Sequence, residues 1–232
     1  MLAGVSGGPD STALLSVLAS LVTDIGFTLL ACDVENGIRP PAEREADRAA
    51  VQALCAGFGV PLDVRTIPEG GCEREAREGG RSLEDVARRR RLEALAGAAD
   101  AAGAGFIALG HTRDDHRETV LMRALQGAGA RGLGGIAAQR GRFVRPLLAA
   151  SRAEVTAHLA AGGHLDQDGR QLQQRVGRCV EAARFDVDHD RQEAAEAVPD
   201  TVAGLGCAHP VTSFQAIVPP ARSGTSSSAP NG

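Results

Sequence analysis

The chain has no lysine; all 25 of its Lys+Arg residues are arginine. A phosphate loop of the G-x-x-x-x-G-K-[ST] kind sets its lysine on the phosphates, so that class of nucleotide site is excluded. Cysteine pairs are missing too. Cys32, Cys55, Cys72, Cys179 and Cys207 form no C-x-x-C spacing, which removes the usual metal-ligand pattern and predicts free thiols in a reducing compartment. No apolar run approaches membrane-spanning length, and no leader precedes the first strand candidate. A cytoplasmic protein with no membrane partner is expected. Positive charge is not in excess either: a net charge of −4 argues against a generally basic nucleic-acid binder, while leaving room for a local basic strip.

What is present starts at once. Leu2 to Val5 is a short apolar run, followed by Ser6, Gly7, Gly8, Pro9, Asp10, Ser11 and Thr12, and then by a helical apolar pattern at Leu14, Leu15, Val17, Leu18 and Leu21. Strand, glycine turn, helix start is the order in which a chain builds a phosphate cradle. Glycines let the backbone approach an anion, and successive N–H groups can form a nest. Asp10, Ser11 and Thr12 are N-cap candidates whose side chains can also meet a phosphate or its magnesium ion. The same string also suits a plain strand-to-helix turn with a serine cap. With the lysine loop excluded and G-x-G-x-x-G absent from this turn, the ligand reading narrows to a pyrophosphate loop of amides, hydroxyls and an aspartate.

Further along, Phe27 to Val34 reads as a strand buried on both faces, Leu62 to Ile67 and Phe106 to Gly110 as further strands, and Phe143 to Leu148 as a last short one. Helices are expected from about Glu43 to Ala56, from Ser82 (with Asp85 at its capping-box position) to about Ala102, from about Asp115 to Leu125 and from Arg152 to Ala161. Pro68 to Arg81 is polar and highly charged and reads as a loop. Val120, Leu121 and Leu125 are the expected buried stripe of the Asp115 helix. Strands alternating with helices predict a doubly wound, mostly parallel α/β sheet covered on both faces. Ligands then sit beyond the carboxyl ends of the strands. The Ser6–Thr12 loop, the Glu35–Arg39 segment and the His111–Asp115 segment all fall there. Beyond residue 163 the pattern decays, with one amphipathic helix expected near Gln171 to Arg184 and a disordered tail from Ser223. The organisation expected is a nucleotide domain over 1–163 and a divergent, partly helical or disordered segment over 164–232.

Two local patterns carry chemistry. Asp115 and Glu118 are three apart on the expected helix, so both carboxylates can face one pocket and bind an amine or magnesium. Helix capping by Asp114 or Asp115, with His111 an ordinary strand-end residue, is the structural alternative. From Thr119 to Ala153 there is no acidic residue, while Arg123, Arg131, Arg140, Arg142, Arg145 and Arg152 supply six positive charges. Such a strip suits a polyanion, or simply keeps a glycine-rich loop soluble.

The string S-G-G-P-D-S-T at Ser6–Thr12 resembles the loop of the N-type ATP pyrophosphatases, the PP-loop superfamily with its adenine nucleotide alpha hydrolase-like fold. G-H-T-R-D-D-H-R-E-T-V-L-M-R at Gly110–Arg123, G-A-G-A-R-G-L-G-G-I up to Ile136, R-P-L-L at Arg145–Leu148 and the Arg88–Arg91 run resemble tRNA(Ile)-lysidine synthetase. The resemblance spans about residues 3 to 163. It implies a carbon–nitrogen ligase that uses ATP and Mg2+ to join free L-lysine to the wobble cytidine of tRNA(Ile) with a CAU anticodon. The steps implied are adenylation of the cytidine with pyrophosphate release, then displacement of AMP by the amine. By that resemblance Ser6, Gly7, Gly8, Pro9, Asp10, Ser11 and Thr12 hold ATP, with Asp10 the magnesium contact. Asp115 and Glu118 hold lysine. Asp10, Arg91, His111, Asp115 and Glu118 form the catalytic set, and Arg88, Arg131 and Arg145 meet tRNA; a homodimer is compatible with it. The chain departs from the family at Glu35 and Asn36, where an aspartate–histidine pair is usual, at Leu92 in place of tyrosine, and throughout the region after His164. An ATP-dependent tRNA thiolase and a non-catalytic nucleotide- or RNA-binding relic are the competing readings.

Overall fold

The computed structural model describes residues 1–38, 40–129, 132–162 and 170–183. Its centre is a six-stranded sheet in the order β3-β2-β1-β4-β6-β5. The strands are β1 (Leu2–Val5), β2 (Leu30–Glu35), β3 (Leu62–Thr66), β4 (Ile107–Ala108), β5 (Gln139–Arg140) and β6 (Phe143–Val144). All pairings are parallel except β5 with β6. The helices are α1 (Pro9–Ile25), α2 (Pro41–Gly57), α3 (Gly71–Gly79), α4 (Leu83–Ala101), α5 (Arg113–Leu125) and α6 (Arg152–Ala160).

Side-chain alternation along the strands explains the layers. Ala3 and Val5 of β1, Ala31 of β2 and Ala108 of β4 pack with Leu14, Leu15, Leu18, Val51 and Val155 on the α1–α2–α6 face. Their neighbours Leu2, Cys32 and Ile107 pack with Leu95, Ala98 and Ala99 of α4 on the other. Both faces are buried because a parallel sheet is closed by its own crossover helices. Residues 170–183 are helical, and Leu172, Val176, Val180 and Ala183 join the α1 core. The Ser223 tail lies outside the described residues.

Three expectations need correction. Pro68 to Arg81 contains α3, not only loop. Its charged sequence hides the helix because Cys72 alone is buried, and Glu75 pairs with Arg89 and Arg90 of α4. The last strand is only Phe143–Val144, and it gains an antiparallel neighbour, β5, whose two residues are exposed. No residue of α5 is buried, and Leu121 and Leu125 are 62% and 80% exposed. The helix is held by its first turn and its polar contacts, so the apolar period did not mark a core face.

Candidate active site

The strand order reverses between β1 and β4, and the crevice of a doubly wound sheet opens at that point. The loop after β1 and the segment after β4 meet there closely. A Cβ on Gly110 would lie 3.1 Å from the carbonyl carbon of Asp10, tight enough that the α1 turn would have to give way by a few tenths of an ångström. Gly7 turns the first loop with φ of 72°, a conformation glycine adopts without strain. The N-cap of α1 is Gly8, which makes no side-chain cap, rather than any of the three side chains expected. Ser11 Oγ and Thr12 Oγ1 instead donate back to the Gly8 carbonyl at 2.9 and 3.0 Å, and Ser11 Oγ accepts from the Ser6 N–H at 3.2 Å. The positive end of α1 is thus left without a capping side chain, which suits an anion.

Beside this loop lies a cavity of about 860 Å³ lined by Ser6, Gly8, Asp33, Glu35, Asn36, Arg88 and Arg91, among others. Asp33 is buried, and burial pushes its carboxyl up while the Arg91 guanidinium pulls the other way. Arg91 is itself shifted down by burial. Glu35 receives a bidentate clamp from Arg48 Nε and Nη2, each at 2.7 Å, and that hydrogen bonding holds its carboxyl below the usual range. Asn36 Oδ1 accepts from the Ile38 N–H at 3.3 Å.

The start of α5 forms a second cluster, next to Asp10 and outside the lining of that cavity. Thr112 caps it, and Asp115 completes a capping box. Asp115 Oδ2 accepts from Thr112 N–H at 2.7 Å and from Thr112 Oγ1 at 2.9 Å, while Oδ1 accepts from Arg152 Nη2 at 3.0 Å. The carboxylate is therefore both cap and ligand, one oxygen for each. Arg152 Nη1 also lies 3.6 Å from Glu118 Oε1. Asp10 reaches this cluster: burial first, then the charges of Asp115 and Asp114, raise its carboxyl, against the opposing pull of Arg152. His111 feels charges from both clusters, Arg88 and Arg91 of the first and Asp115 of the second. Burial, then the nearby Arg145 and Arg88 charges, push its imidazole down to about 4, so it is neutral near pH 7.

The PP-loop domain family matches residues 1–166. The chain belongs to the PP-loop family. Among its relatives, the tRNA(Ile)-lysidine synthase of Treponema pallidum (strain Nichols) is 37% identical over 219 residues, covering 90% of this chain and 45% of that protein. The tRNA(Ile)-lysidine synthase of Symbiobacterium thermophilum is 44% identical over 167 residues, 70% of this chain and 34% of that one. The chain thus spans less than half the length of these relatives. A solved structure of the U34-tRNA thiolase NcsA from Methanococcus maripaludis with its [4Fe-4S] cluster is similar in fold, with a TM-score of 0.57 at 16% identity, covering 90% of this chain and 77% of that one.

Within the PP-loop site, the fold brings Ser6, Gly8, Arg88 and Arg91 to one cavity and puts Asp10, Asp115 and Glu118 around Arg152. The arginine strip is largely committed internally. Arg123 donates to Gly135 O at 3.0 Å, Arg142 to Asp100 Oδ1 and Ala96 O, and Arg145, which is buried, to Ala137 O at 2.9 Å. Arg123 and Arg145 satisfy carbonyls of the glycine-rich segment, and Arg142 ties the sheet edge to α4. Arg131 lies outside the described residues. Asp33 was missed, although a lone carboxylate at the end of an apolar strand was a readable signal. Arg152 was read only as part of the strip; nothing in the sequence brings it to residues 37 positions earlier. Among the described residues no helix is long and apolar enough to cross a membrane.

Proposed function

We propose that this chain ligates lysine to the wobble cytidine of tRNA(Ile) with a CAU anticodon, forming lysidine at the expense of ATP. The observation that carries this reading is the pairing of two unlike helix starts at one crevice: an uncapped α1 suited to phosphate and a carboxylate-rich α5 suited to an amine. The 37–44% identity to lysidine synthases supplies the substrates. Ser6 to Thr12 would bind the triphosphate, and Arg88 and Arg91 the adenylate side of the cavity. The cytidine oxygen on carbon-2 attacks the α-phosphorus and pyrophosphate leaves. The lysine amine, held by Asp115 and Glu118, then attacks carbon-2 and AMP leaves; a carboxylate of that pair takes the amine's proton. Fixed donors around the adenylate would stabilise the developing charge, with His111 present as a neutral imidazole. Arg131 and Arg140 remain the strip's candidates for tRNA phosphate.

Magnesium fits Asp10 on one observation: its Oδ1 is buried and has no hydrogen-bond partner. An ion held there would take its other ligands from phosphate oxygens and water and offset phosphate charge.

A tRNA thiolase reading is opposed by the cysteines. Cys32, Cys55 and Cys72 are buried, and burial pushes the Cys32 thiol up to about 12, far from the thiolate that sulfur chemistry needs. Pyrophosphate release from ATP, measured with lysine and an unmodified tRNA(Ile) transcript, tests the proposal. Lysine-dependent release is expected. ATP binding without any release would leave a nucleotide-binding relic.

A further inference from the structure

The two carboxylates assigned to the amino acid already hold a cation. Arg152 is the first residue of α6, and its guanidinium lies 3.0 Å from Asp115 Oδ1 and 3.6 Å from Glu118 Oε1. Those are the two groups an incoming ammonium would use. The guanidinium is not needed to join the helices. The Arg152 main-chain N–H already donates to Asp114 Oδ2 at 2.6 Å, Arg113 N–H donates to Ala150 O at 2.8 Å, and Arg113 pairs with Glu154 at 3.5 Å. These contacts tether the backbone independently of the Arg152 guanidinium.

Exposure makes the contact exchangeable. The Arg152 side chain is 51% exposed and that of Glu118 is 63% exposed. An ion pair in contact with water is weak and readily replaced, unlike a buried one. Charge explains why something must sit there at all. Asp114, Asp115 and Glu118 crowd one helix start and Asp10 faces them across the crevice, and like charges at such range repel unless a cation intervenes.

We propose that Arg152 is a specificity-determining placeholder: its guanidinium occupies the ammonium position between Asp115 and Glu118 until a substrate cation displaces it. The proposal rests on the assignment of Asp115 and Glu118 to lysine made above. Binding is then an exchange of one cation for another. Neutral side chains cannot drive that exchange, because they would strand two carboxylates without a counter-charge. The apparent affinity for lysine is lowered by the fraction of molecules in which Arg152 is seated.

The test is calorimetric titration of the full chain with lysine in the presence of ATP, comparing wild type with Arg152→Gln, Arg152→Ala, Arg152→Lys and Asp115→Asn. Thermal unfolding of each variant runs in parallel. Arg152→Gln and Arg152→Ala are expected to bind lysine about fivefold more tightly, the affinity equivalent of one exposed ion pair. Arg152→Lys keeps the wild-type value. Guanidinium chloride at roughly 0.2 M, read against sodium chloride of equal ionic strength, is expected to weaken lysine binding to Arg152→Ala more than to the wild type, a response that a merely structural arginine would not give. If Asp115→Asn weakens lysine while neither Arg152 variant tightens it, the placeholder is overturned and the lysine site stands. If Asp115→Asn leaves lysine affinity unchanged, the lysine site itself fails and the placeholder with it.

Discussion

Helices α1 and α5 enter the crevice from the two strands that flank it, yet they are opposites in almost every other respect. The first is packed into the core along Leu14, Leu15, Val17, Leu18 and Leu21; the second buries none of its residues. Gly8 opens α1 without a side-chain cap, whereas Thr112 and Asp115 close α5 with a reciprocal box. Every helix start is electropositive by default, because its first N–H groups lack partners. At α1 the first N–H groups meet no capping side chain and a single first-turn carboxylate, Asp10, which suits an anion held with a cation. At α5 the default is reversed by Asp114, Asp115 and Glu118, whose summed charge recruits a cation. The difference teaches that topology sets where two helix starts meet, and a few side chains choose the sign of each.

Several substitutions would break or sharpen this contrast. Leu15→Ala should have the largest effect, because it opens a cavity in the core: a loss of about 2–5 kcal/mol, read by denaturant unfolding. Gly110→Ala should push a Cβ against the first turn of α1 and weaken ATP binding about tenfold or more, equivalent to roughly 1.4 kcal/mol, in a nucleotide titration. Lysine affinity should change much less, and equal losses would mean the two sites are not separable. Thr112→Ala removes the α5 cap and should cost about 1 kcal/mol, seen as a lower Tm.

Acid should act more gently, first on the cap of α6 and then on its tie to the 170–183 helix. The Ser151 N–H beside Glu154 is the main cause that holds its carboxyl down at about 2, with help from Arg175 at 2.8 Å. A carboxylate depressed on folding contributes stability fully present above its ordinary value of 4.5. That contribution is lost as pH falls from there through about 2. Circular dichroism on acidification should show it, and Glu154→Gln should flatten the response. Leu125→Ala should do least, within about 0.5 kcal/mol. A larger loss would mean that the exposed face of α5 is covered in solution.

Much of the fold was legible because burial imposes a period. β1 and β4 lie inside apolar runs and β2 largely so, and α1, α2, α4 and α6 follow the helical spacing expected, with Ser82 accepting from Asp85 N–H at 3.1 Å at the start of α4. Elements that bury little gave no such signal. In α3 only Cys72 is covered, and β5 is two exposed residues paired to β6. Conversely, Val120, Leu121 and Leu125 carry a pattern without a core behind it. Site residues divide in the same way. The glycines, hydroxyls and paired carboxylates announce their chemistry by type and spacing. Asp33 had only its place at a strand end to reveal it, and Arg152 had nothing local.

By itself the sequence determined the alternation of strands and helices, the exclusion of a lysine phosphate loop and the candidate ligands at three strand ends. These are local matters of side-chain type and spacing along one chain. Only the tertiary structure decided that Gly8 rather than a side chain opens α1, that Arg123, Arg142 and Arg145 of the arginine strip are turned onto carbonyls, and that Arg152 rests between Asp115 and Glu118. Those outcomes depend on which distant groups share a low-dielectric neighbourhood, and a carboxylate or guanidinium takes the nearest opposite charge that the fold provides.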